Sequence, residues 1–157
     1  SALKTVLLAA IEENRYLLQL SGFTVEMPDN DINVYTDEKS LLFVCSQIIR
    51  NAVAYRCQES PRLTLSCKSS GSQAVLSFAD NGTGIAPEDI PRVFDKGFTG
   101  QNGRKNRRST GIGLYLCRKF CRHMQADIAV TSREGERTTV TVTLPAVPPQ
   151  DTDTQSR

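Results

Sequence analysis

Asp80-Asn81-Gly82-Thr83-Gly84-Ile85 follows the apolar stretch 74–79. A carboxylate therefore stands at the end of a buried strand, with a glycine-opened turn behind it. An ionised carboxylate in an apolar setting is costly unless it is paired or hydrogen-bonded. Facing a cavity, it can accept a hydrogen bond from an exocyclic amine such as that of adenine. A second patch is Gln47 and Asn51, which share one face of a helix at i, i+4, with Tyr55 a turn further along. An Asn carbonyl oxygen suits a hard cation such as Mg²⁺, which takes few protein ligands and fills its shell with water and phosphate oxygens. The third patch, Ser109-Thr110-Gly111-Ile112-Gly113-Leu114, opens a helix with glycines. Phosphate can approach backbone N–H groups there, and the helix dipole favours the anion. It is not a P-loop, which needs Gly-Lys-Ser/Thr, nor the dinucleotide fingerprint, which needs a preceding strand. Taken singly, the three patches also fit a structural turn, a polar helix face and an ordinary helix start.

The elements that must position these patches follow from periodicity. Apolar residues from Leu3 to Leu18 recur at helical spacing, and Gly22 ends that helix. Phe23 to Met27 alternates like a half-buried strand, and Asn33 to Tyr35 reads as a short second strand. Another helix starts near Thr36 or Asp37, either of which can cap it. Its apolar stripe includes Leu41, Val44, Ile48 and Ile49. Strands over Leu63–Ser69 and Gln73–Asp80 join in a hairpin across 70–72. Pro87 to Val93 suits a short helical turn, and residues 95–110 form a long polar loop of the kind that is usually functional. A third long helix covers about 111–124, and strands 127–132 and 137–144 close a second hairpin across Glu134-Gly135. The order predicts a two-layer α/β sandwich, with a mixed, mostly antiparallel sheet covered on one face by three helices. Residues 1–145 form one domain, and 146–157, rich in Pro and polar residues, read as a disordered tail.

The chain has 157 residues, 39% hydrophobic and 23% charged, with a net charge of +2. That is an ordinary globular composition. Arg104, Lys105, Arg107 and Arg108 cluster without interleaved aromatics, which gives a nucleic-acid partner no support. Five cysteines without a Cys-x-x-Cys, beside a single histidine, read as reduced, small core residues.

The order of the patches is more specific than any one of them. Gln47-Ile-Ile-Arg-Asn51-Ala-Val-Ala-Tyr55 resembles the N box, Asp80-Asn-Gly-Thr-Gly84 the G1 box, Arg92-Val-Phe94-Asp-Lys-Gly-Phe98 the F box, and Ser109-Thr-Gly111-Ile-Gly113-Leu the G2 box, of the catalytic ATP-binding domain of bacterial sensor histidine kinases in the GHKL superfamily. The resemblance runs to about Pro145. It implies that Asn51 holds Mg²⁺ on the ATP phosphates, that Asp80 accepts the adenine amino hydrogen with Thr138 helping through water, and that Tyr55 packs beside the nucleotide. Gly82 and Gly84, with Ile85, would admit the base. Thr110, Gly111, Ile112, Gly113 and Leu114 would bring backbone near the phosphates. Phe94 and Phe98 belong to the F box, and residues 95–110 would be the ATP lid. Lys96 and Arg104 are the lid cations expected at the γ-phosphate, with Arg107 or Arg108 as substitutes.

The chain departs from the family pattern at Ala54, where a Lys is usual, and at Ser109, where a Gly is frequent. Gln47 stands where the ATP-hydrolysing branch carries a water-activating Glu, and Gln cannot act as that base. This argues for phosphoryl transfer. The acceptor would be a histidine on a separate dimerisation domain of the same parent protein, since His123 sits at a helix end. A response regulator would act downstream. The parent is expected to be a homodimeric, membrane-anchored bacterial sensor with this domain, itself monomeric, on the cytoplasmic side. The rival expectations are a degenerate regulatory module that docks to a protein without transferring phosphate, motivated by Ala54, and a serine kinase of the anti-sigma type.

Overall fold

Alternation along the strands decides how the layers stack. In the computed structural model, which describes residues 1–98 and 113–146, strand β2 (Arg62–Ser70) buries Leu63, Leu65 and Cys67, and β3 (Gln73–Asp80) buries Ala74, Leu76 and Phe78. Strand β5 (Arg137–Pro145) buries Val140, Val142 and Leu144 in the same way. Phe78 lies opposite Leu65 on one side and Val140 on the other, so the buried positions share a single face. The intervening Thr64, Ser77 and Thr141 point to the other face and are only half-buried.

The sheet is completed by β1 (Thr24–Glu26) and β4 (Asp127–Arg133), in the order β1-β2-β3-β5-β4. β1 runs parallel to β2, and the other three pairings are antiparallel. The helices α1 (Leu3–Glu13), α3 (Glu38–Ala54) and α4 (Gly113–His123) pack as a layer, with α3 touching both α1 and α4. Leu3, Leu7, Leu41, Ile49 and Cys117 meet the sheet's apolar face in one core. The expected two-layer sandwich is therefore present. Among the described residues no helix is long and apolar enough to cross a membrane.

Three expectations need correction. The first helix is two, because Asn14 breaks it and α2 (Arg15–Leu20) follows. Asn33 to Tyr35 is not a strand; Asn33 makes an isolated bridge to Ala2, and Val34 N–H donates to Ser1 O (2.7 Å). Asp37 does occupy the N-cap position of α3, but its side chain makes no cap bond. It accepts the Ser40 hydroxyl instead (2.6 Å), which holds its carboxyl below the ordinary range.

Cys45, Cys117 and Cys121 fill the α3–α4 interface as free thiols. Burial raises their pKa values, Cys121 to about 11, so they stay protonated. Cys57 is exposed and is not a core residue. α4 ends where Gln125 takes φ +58°, while Ala126 N–H donates to Cys121 O (2.8 Å).

Truncating Phe78 to Ala should cost about 3–5 kcal/mol in urea unfolding, as for large buried side chains generally. Thr141→Ala, on the opposite face of the same sheet, should stay within about 0.5 kcal/mol of the parent chain.

Candidate functional site

β3 carries Asp80 to its C-terminal end, where Thr138 of β5 is its direct cross-strand partner. Opposed residues on antiparallel strands share a face. Thr138 is buried and Asp80 half-buried. One Asp80 oxygen accepts the Gly82 N–H (2.9 Å). That bond does not replace the lost water, and burial pushes the carboxyl up to about 6 against the lowering pull of the Gly82 N–H.

The turn behind Asp80 is clamped between two other elements. Thr83 N–H donates to Tyr55 O at the C-cap of α3 (3.0 Å), and Gly135 N–H donates to Thr83 O (2.6 Å). A Cβ at position 82 would stand 2.7 Å from Tyr55 O and 2.9 Å from the Asp80 carboxylate. Gly84 has φ +70°, and a Cβ there would strike the Arg133 carbonyl and lie 2.8 Å from Glu134 Cα. Both glycines are required by close backbone approach. Asn81 serves the fold: Arg62 N–H donates to its Oδ1 (2.8 Å) and its Nδ2 donates to Ser60 O (3.1 Å).

Ser132 is a site residue that the motif reading missed. Its Oγ accepts the Ile85 N–H (2.7 Å), donates to Arg137 O (2.7 Å), and lies 3.1 Å from Thr138 Oγ1. With its own proton committed to Arg137, Ser132 receives the Thr138 hydroxyl proton. Thr138 therefore offers only lone pairs beyond that bond. The sole signal for Ser132 is its register opposite Thr138, which exists only once β4 and β5 are paired.

On α3, Gln47, Asn51 and Tyr55 are half-buried along one line. A Cβ at Gly113 would stand 3.2 Å from Gln47 Oε1, so the line starts against the first residue of α4 and ends at the Asp80 turn. Ile85 and Leu114 pack against the core. Phe94 and Phe98 do so as well, under the guanidinium groups of Arg118 (4.2 Å to the ring centroid) and Arg92 (5.0 Å). The exposed Lys96 has its ammonium 6.0 Å from the Tyr115 ring centroid, and Lys119 lies 5.5 Å from the same ring. The expected site residues Arg104, Thr110, Gly111 and Ile112, and Arg107, Arg108 and Ser109 with them, lie outside the described residues. Among the described residues no group of three or more His, Cys, Asp or Glu could hold a metal ion. A cation here would depend on a neutral amide such as that of Asn51 and on the ligand's own oxygens, a donor set that suits Mg²⁺ better than a softer metal.

Over residues 36–148 the chain matches the family described as histidine kinase-, DNA gyrase B- and HSP90-like ATPase. It is 37% identical over 126 residues to the sensor histidine kinase YxdK of Bacillus subtilis, covering 80% of this chain and 39% of YxdK. Its fold is that of a mycobacterial sensor histidine kinase, MprB, at a TM-score of 0.82 and 19% identity, covering 95% of this chain and 99% of that one. Full-length ShkA, solved in complex with AMPPNP, matches at a TM-score of 0.78 and 19% identity, with 94% of this chain and 31% of that one covered. The chain thus spans about two fifths of the curated relative's length.

Two outcomes follow from the site's packing and charge. Gly84→Ala should cost more than about 2 kcal/mol in urea unfolding, because positive φ and a backbone clash combine. Gly71→Ala, at φ +61° with open space, should cost about 1. Asp80 is protonated at higher pH in the folded chain than unfolded, so its charge disfavours folding as pH rises from about 4 through about 6. Asp80→Asn should match the parent chain's stability at pH 4. Above pH 7 it should exceed it by on the order of 1–3 kcal/mol in ligand-free melts.

Proposed function

The chain belongs to the histidine kinase-, DNA gyrase B- and HSP90-like ATPase family, and from that premise we propose that it is the Mg-ATP-binding catalytic domain of a two-component sensor kinase. In this reading it delivers the γ-phosphoryl group to a histidine on a helical dimerisation domain of the same parent protein, which then supplies a response regulator. The parent is a homodimeric bacterial sensor anchored in the membrane, with this domain on the cytoplasmic side.

The observation that carries the reading is the acceptor-only pair at the end of β3. The Asp80 carboxylate and the spare lone pairs of Thr138 Oγ1 stand on neighbouring strands. An adenine amino group answers them with hydrogens, whereas the guanine carbonyl would set lone pairs against a carboxylate. Tyr55 flanks the base. The Asn51 amide oxygen holds Mg²⁺, which when bound neutralises charge on the phosphates. Gly113, with Gly111, lets the start of α4 approach the phosphate oxygens. Lys96 and Arg104 stabilise charge as the β–γ bridging bond breaks and the acceptor nitrogen bonds to phosphorus.

Gln47 supports transfer over hydrolysis. Its amide sits against Gly113 and can orient a phosphate oxygen or a water but cannot take a proton from water. His123 is exposed in the last turn of α4, a place where basic side chains suit the helix dipole.

Mg-ATP at about a hundred times its dissociation constant should stabilise the chain by about 2.7 kcal/mol. That raises the melting temperature by roughly 5–10 °C. GTP should give a far smaller shift, and Asp80→Asn should abolish the ATP shift. A longer chain that includes the helical hairpin should carry labelled phosphate on a hairpin histidine, while the isolated chain shows negligible steady hydrolysis. Strong steady hydrolysis by the isolated chain would overturn the transfer reading.

A further inference from the structure

Buried polar residues are few in this domain: Asn14, Ser40, Ser46 and Thr138 among the described residues. Two of them meet where α1 gives way to α2. Asn14 is 3% exposed, and φ −110°, ψ 14° takes it out of the helix. Its Nδ2 donates both to Ala10 O (2.8 Å) and to Ser46 Oγ (2.9 Å), and its Oδ1 accepts the Arg50 Nε–H (3.1 Å). Ser46 passes its own proton to Glu13 Oε2 (2.8 Å). Both amide hydrogens of Asn14 and one oxygen lone pair are thus used, and two of its three bonds go to α3.

We propose that Asn14 is a positioning residue for the nucleotide site, fixing the rotation and height of α3 and through them the direction of the Asn51 amide. The inference rests on the reading of Asn51 as the Mg²⁺ ligand. Ser46 and Arg50 are one helical turn apart on the side of α3 that faces α1. Gln47 and Asn51 follow each of them by one residue, about 100° further round the same helix. Fixing the first line therefore fixes the second. α1 and α3 are in contact, and both contribute apolar side chains such as Leu3, Leu7, Leu41 and Ile48 to the shared core. Burial of apolar area is non-directional and tolerates a small slide or twist. Hydrogen bonds in a buried setting do not. Replacing all the partners of such a network together with apolar groups of similar shape can be nearly neutral, whereas removing one leaves the others unsatisfied. A cation bridging a protein amide and phosphate oxygens does require a fixed amide position, because small misplacements at such sites are expensive.

The test compares Asn14→Leu, Arg50→Met and Asn51→Ala in this chain. Calorimetry would give dissociation constants for adenosine, for ATP in chelator, and for Mg-ATP, with thermal melts verifying the fold. Asn14→Leu and Arg50→Met should each shrink the Mg²⁺-dependent gain in ATP affinity by about five- to tenfold. Adenosine affinity should stay within about twofold. A merely structural role would weaken adenosine and Mg-ATP together, or leave both unchanged, and either result overturns the proposal. If Asn51→Ala keeps the full Mg²⁺ gain, the Asn51 reading fails and takes this inference with it. If Asn51→Ala loses the gain while Asn14→Leu and Arg50→Met keep it, the positioning role alone fails. Should Asn14→Leu not fold, Arg50→Met, an exposed position, decides the matter.

Discussion

The Asp80 carboxylate is held half out of water at the end of β3, with the Gly82 N–H on one oxygen and burial raising its pKa to about 6. A free carboxylate in that setting opposes folding at neutral pH. The cost falls at the edge of a large core, on the same apolar face as Leu65, Leu76 and Phe78. A ligand hydrogen arriving at Asp80 offsets the same cost that burial created. In the proposed function, this cost would link the stability of the empty domain to its affinity for an amine-bearing base.

The backbone around Asp80 is held by three elements. The Tyr55 carbonyl at the end of α3 takes the Thr83 N–H, and the β4–β5 turn takes up the other side through Gly135. Gly82 and Gly84 leave no volume for a side chain between these elements. Ser132 commits the Thr138 proton, so the position across from Asp80 presents lone pairs as well. The polar line on α3 then runs from this turn to Gly113 at the start of α4. One helix thus links the Asp80 turn to the start of α4, the two ends between which the proposed nucleotide would lie.

Much of this was legible in the sequence because it depends on local chemistry. The apolar stretch 74–79 marked β3 as a buried strand, and the i, i+4 spacing of Gln47 and Asn51 placed them on one helix face. The glycines of the Asp80 turn could be named, but their reason could not. Neither the Tyr55 carbonyl nor the Arg133 carbonyl is adjacent to them in the chain. Ser132 was invisible because its role needs the β4–β5 register. The break at Asn14 escaped because apolar periodicity continues across it from Ile11 to Leu18. The bonds from Asn14 to Ser46 and Arg50 that accompany the break are made by residues more than thirty positions away.

The most direct test of the account is the titration of the Asp80 carboxyl carbon by NMR, without and with Mg-ATP. In the empty domain the midpoint should lie near 6. With nucleotide bound, the midpoint should fall by a unit or more, roughly tenfold in proton affinity, because the adenine amine favours the charged form. A midpoint that saturating Mg-ATP leaves in place would show that the base does not meet Asp80, and would contradict the account.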